Sequence, residues 1–81
     1  MDRIIAKELD RELMLYDPAK DAVHVLNPTA RVVYECRRRG EPLAEIERVL
    51  RERFRADPSR DLSGEIGRCL QELREKGLVA P

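Results

Sequence analysis

With no tryptophan and a single phenylalanine, the chain has few aromatic platforms on which single-stranded nucleic acid could stack. Charge of one sign is also missing. Sixteen basic side chains balance sixteen acidic ones, and no global field draws in DNA, RNA or an anionic membrane. No apolar run is long enough for a transmembrane helix. The opening "MDRIIAKELDREL" lacks the basic-then-apolar layout of a signal peptide, so a cytoplasmic protein is expected. Two cysteines, Cys36 and Cys69, make no disulfide framework, and reduced thiols are the expectation. His24 is the only histidine, and no catalytic signature surrounds it. Its spacing to Cys36 and Cys69 matches no zinc motif, and the two thiols read as small apolar fillers on helices. Gly-rich phosphate loops, HExxH and EF-hand patterns are absent. The expectation is a non-enzyme with no catalytic residue, no metal and no cofactor.

What is present is one small domain. A chain of 81 residues buries roughly 60% of its unfolded surface, so its stability is marginal. The N-terminal third is strand-like. Ile4 and Ile5 suggest a short first strand. "ELMLY", Glu12 to Tyr16, is apolar, bounded by charge and too short for a stable helix. "DPAKD" is turn chemistry, and "AVHVL", Ala22 to Leu26, follows at hairpin distance with two β-branched residues.

At "NPT" the period changes to 3.6. Asn27 is a good N-cap, and Pro28 suits the first helical position. Ala30, Val33 and Tyr34 form the expected apolar face of the first helix, with Val32 and Cys36 beside it. Gly40 stops it, and Arg37 to Arg39 suit the negative end of its dipole. Pro42 opens a second helix, in which Leu43, Ile46, Val49, Leu50 and Phe54 make an amphipathic stripe. Its other face, Glu45, Glu47, Arg48, Arg51 and Glu52, has ion-pair spacing. "ADPS" is a second cap signal, Asp57 before Pro58. The third helix is expected to run to about Lys76, with Leu62, Ile66, Leu70 and Leu73 inward and Gly77 as its stop. Leu78 is expected to fold back on the core. Gly64 and Gly67 lie inside that helix at a cost of about 1 kcal/mol each relative to alanine. One reading is an irregular first turn at Gly64. Another is that Gly67 admits a second backbone.

Strands followed by three helices suggest a winged helix-turn-helix-like α+β module, which makes a DNA-binding regulator the rival function. The third helix would then read the major groove. From Pro58 to Lys76 its four basic and four acidic residues cancel, with Asp57 and Asp61 at the end that would enter. Phosphate neutralisation dominates DNA affinity, so this helix is a poor reader. The "RRRG" run, diluted by Glu35 and Glu41, reads as helix-end charge rather than a phosphate grip.

A strand ending in "VLN", then "PTARVVYEC", the helix "LAEIERVLRERF" and the closing "LQELREKGLV" resemble the PqqD family. These are peptide-binding chaperones, or precursor-peptide recognition elements, of ribosomally made and post-translationally modified peptides. The resemblance covers Glu12 to Val79, with "LNPTA" and "L-REKGLV" its most specific pieces. It implies a short three-stranded antiparallel sheet packed on three helices. It also implies that the leader of a precursor peptide adds as a further strand to the third strand, beside the third helix. Carried over, the receiving edge is Ala22, Val23, His24, Val25 and Leu26. The groove helix is Leu62 to Lys76. Its exact side chains do not follow from the family's motif; by helical spacing Arg68, Cys69, Glu72 and Lys76 lie beside the core stripe, with Leu73 between core and groove. The implied partners are the leader peptide and a modifying enzyme such as a radical-SAM protein, a protease or a cyclase, with no nucleic acid and no membrane. The family often has an aromatic near positions 23 and 24, where this chain has Val23 and His24.

The residues themselves agree with an open edge. "AVHVL" holds no Pro, Lys or Glu, the usual devices against edge pairing. Strand addition takes affinity from main-chain hydrogen bonds and specificity from alternate side chains. Val23 and Val25 should share one face, and Ala22, His24 and Leu26 the other, with Leu26 leading the core-facing set. The expected function is non-catalytic leader binding and presentation by a monomer or dimer. A structural domain of a larger enzyme is a third reading.

Overall fold

The computed structural model describes residues 4–55, 57 and 59–79. It has the α+β content expected of a winged-helix-like protein: three antiparallel strands followed by three helices. The strands are β1 (Ile5–Leu9), β2 (Glu12–Asp17) and β3 (Ala22–Leu26), and the helices are α1 (Pro28–Arg38), α2 (Leu43–Phe54) and α3 (Leu62–Glu75). Two compact units divide the chain, one up to Arg31 and one from Val32.

In the first unit β2 is central, paired with β1 on one side and β3 on the other. β1 is more than the Ile4–Ile5 stub suggested by the sequence. The pair Leu9↔Glu12 closes a tight turn over Asp10 and Arg11, with Asp10 at φ 56°. Asp residues tolerate this left-handed conformation better than most side chains. At the next turn, buried Asp17 accepts from the Ala19 N–H, and Tyr16 Oη donates to Asp21. Leu13, Leu15 and Leu26 are buried on one face of the sheet. Asn27 caps α1 as its type predicts: its Oδ1 accepts from Ala30 N–H at 2.8 Å. Arg31 ties the start of α1 to the strands through an ion pair with Glu8 and a bond to the Glu12 carbonyl.

In the second unit two helices close by the same device. The Glu41 N–H returns to the Cys36 carbonyl and Gly40 N–H to Arg37. Likewise Leu78 N–H returns to Leu73 and Gly77 N–H to Arg74. Both glycines have positive φ, which this closure requires. Leu78 is buried, as its fold-back predicts. Ile46 and Leu50 of α2 join Leu62, Ile66, Leu70 and Leu73 of α3 in the core.

Several expectations need correction. The α2 stripe is buried only at its middle: Leu43 and Phe54 at its ends are exposed, and Val49 is half-buried. In α1 the residues that bury are Val32, Val33, Tyr34 and Cys36, while Ala30 is half-buried. The cap of α3 is Asp61, whose carboxylate accepts from the Gly64 N–H; Asp57 instead holds a local turn with Ser59. Pro58 lies outside the described residues. An alanine Cβ at Gly64 would stand 2.3 Å from Asp61 Oδ2, so glycine makes room for the cap. One at Gly67 would meet nothing within 4 Å among the described residues, so no described backbone of this chain makes the close approach considered there.

Candidate functional site: the β3 edge and the α3 surface

β3 is bonded to β2 on one side, and no strand among the described residues lies on its other side. A free edge normally carries protection. The opposite edge has it: β1 presents Lys7 and Glu8. β3 has neither a charge nor a proline along its length. Its alternation is as the sequence predicted, with Leu26 buried, Ala22 and His24 half-buried, and Val23 and Val25 58% and 55% exposed. Because successive backbone groups also alternate, either residues 23 and 25 or residues 22, 24 and 26 turn their N–H and C=O outward. His24 pairs with Leu15 on the buried face, and its Nε2 is shut off from solvent with no hydrogen-bond partner among the described residues. Such an atom costs about 1–3 kcal/mol until something bonds to it. Nothing in the sequence marks this, because it depends on what surrounds the ring.

On α3 the residues chosen by helical spacing separate by burial. Arg68, Glu72 and Lys76 are exposed, Cys69 is half-buried, and Leu73, placed by sequence between core and groove, is 3% exposed and belongs to the core. Cys69, Glu72 and Lys76 follow one another along one side of the helix. Burial pushes the Cys69 thiol above its ordinary pKa, with Glu72 adding to the effect. Cys36, almost fully buried, is pushed up to about 11 by burial and by its hydrogen bond to Glu41. Both thiols are therefore protonated near neutral pH, the unreactive form. No group of three or more His, Cys, Asp or Glu among the described residues could hold a metal ion. No described helix is long and apolar enough to cross a membrane.

The arginine run at the end of α1 is engaged locally. Arg38 lies over the Tyr34 ring at 5.7 Å, and Arg39 pairs with Glu41. Arg37 and Arg38 also line a notch with Leu78 and Val79. α3 itself carries Glu65, Glu72 and Glu75 against Arg68 and Arg74, and Arg60, just before it, is paired with Glu65. With Arg60, Asp61 and Lys76 at its ends the charges still balance, which leaves no positive excess to grip phosphate.

A family model described as coenzyme PQQ synthesis protein D (PqqD) matches residues 12–79, nearly the whole chain. The chain belongs to the PqqD family. No curated protein and no solved structure matches it. PqqD proteins are non-catalytic accessories of biosynthesis, and they bind a precursor peptide and partner enzymes. The match begins at Glu12, the first residue of β2, so it spans the hairpin that presents β3 and every residue of α3.

Proposed function

We propose that the chain acts as one peptide-binding domain that takes the leader of a ribosomally made precursor onto the β3 edge and presents it to a modifying enzyme. The observation that carries this is the unprotected edge: β3 ends the sheet with an uncharged, proline-free sequence, while the far edge is charged. An added strand would satisfy the outward N–H and C=O groups, which supply affinity largely independent of sequence. Arg68, Cys69, Glu72 and Lys76 of α3, set beside its buried stripe, are the further contacts in this reading. The enzyme served would be a radical-SAM protein, a protease or a cyclase, and the complex would form in the cytoplasm.

Amide hydrogen exchange tests the reading, run with and without a synthetic precursor leader peptide. Protection is expected to rise in residues 22–26 and along α3. Protection confined to Arg37–Arg39 and α2 would refute strand addition even with the peptide bound. A DNA-binding role has no specific observation in its favour.

A further inference from the structure

The sheet has a second, outward face. Directly paired residues of antiparallel strands project to the same side, so the register defines rows running across the sheet. One row is Ile5–Tyr16–Val23, and the next is Lys7–Met14–Val25. This face is the opposite of the one that buries Leu13, Leu15 and Leu26. Each row ends at the open edge in a valine, Val23 at 58% and Val25 at 55% exposure. Ile5, at the far end of the first row, is also 56% exposed. Behind the two valines, Tyr16 and Met14 are half-buried. Thus the rows are apolar at the β3 side, while Lys7 brings charge at the β1 side.

We propose that the β3 ends of the outward rows, Val23 and Val25, read the bound peptide: the protein selects strands carrying apolar β-branched or aromatic residues two positions apart, set opposite these two valines. The inference rests on the strand-addition reading and adds to it a sequence rule for the peptide. A strand hydrogen-bonded to β3 extends each row by one residue, whichever way the peptide runs. Side chains two apart in that strand point to the same side, so both meet the outward face. Opposite a half-exposed valine, an apolar partner removes surface of both from water, whereas a charged one brings its hydration shell against a methyl pair. β3 supplies no charge with which an ionic residue could pair. The rule also accounts for two large apolar side chains left bare in a strand of five residues.

A random-peptide phage library panned on the whole protein supplies the probes, and amide exchange identifies those that protect residues 22–26. Their aligned sequences should show apolar residues at two alternate positions. Synthetic copies should bind Val23→Thr and Val25→Thr more weakly, each by about threefold and together by about tenfold. Threonine keeps the β-branched shape, so the strand is retained, and circular dichroism checks that it is. Ile5→Thr, at the far end of a row, should leave affinity unchanged. Probes that protect 22–26 without alternation, or that bind the double threonine variant as tightly as the parent, overturn the rule and leave strand addition standing. An equal loss on Ile5→Thr overturns it too, since the site would then be the face as a whole. If no recovered probe protects 22–26, strand addition itself fails and the rule with it.

Discussion

Gly64 and Gly67 are three residues apart in one helix, yet alanine should do opposite things at the two positions. In the middle of a helix alanine is favoured over glycine by about 1 kcal/mol. At Gly67 the new Cβ meets nothing within 4 Å among the described residues, so none of them opposes that gain. Gly67→Ala should stabilise the protein by about 0.5–1 kcal/mol and raise the melting midpoint by roughly 4 °C in a chain of this size. At Gly64 the Cβ would lie 2.3 Å from Asp61 Oδ2 and 3.0 Å from Asp61 Cγ. The carboxylate must swing away, and its bond to the Gly64 N–H is lost. Losing such a cap costs about 1 kcal/mol, enough to cancel the propensity gain. Gly64→Ala should therefore be neutral or destabilising. Urea denaturation of both variants measures the difference. Repeating Gly64→Ala in an Asp61→Ala background isolates the cause, because with no cap to displace the alanine should again stabilise. If Gly64→Ala stabilises the parent as much as Gly67→Ala does, the account of the α3 start is wrong.

Four other outcomes are expected. Of His24→Pro and Val25→Pro, the one whose N–H points away from β2 should keep the circular dichroism spectrum and lose leader affinity by about tenfold; binding undiminished in every folded variant would refute strand addition. Hydrogen bonds and ion pairs hold the Glu41, Glu45, Asp57 and Glu65 carboxyls below their ordinary range. Their contribution is present above about pH 4.5 and is lost as pH falls through the lower folded-state values, so the urea midpoint should drop below about pH 4.5, and a midpoint flat to pH 3 would contradict the pairs. With a pKa of about 11, Cys36 should react with a disulfide reagent at about pH 8 far more slowly in the folded protein than in urea; equal rates would mean the thiol is open. His24→Leu should raise stability by about 1 kcal/mol by removing the unbonded Nε2, and a marked loss on denaturation would show that the ring nitrogen has a partner.

Local chemistry let much of the fold be read from the sequence. Asn27-Pro28, Gly40 and Gly77 act through their own backbone and near neighbours, so their caps and stops could be placed without knowing the rest of the chain. The period-two pattern of "AVHVL" put Val23 and Val25 on one face and Leu26 on the buried one, because side-chain alternation is a property of the strand alone. The family, too, was legible in "LNPTA" and "L-REKGLV". Other features depended on distant residues. Whether β3 was an edge turned on β1 pairing with β2 rather than with it, and five residues of mixed charge do not announce their partner. The α2 stripe named five apolar positions but not the ones that would be covered; Ile46 and Leu50 were, and Leu43 and Phe54 were not. "ADPS" looked like a cap as good as Asp61, and the geometry of the following turn chose between them. His24 could be counted in the sequence, but only packing could enclose its Nε2, since burial is set by the atoms the fold brings around a side chain.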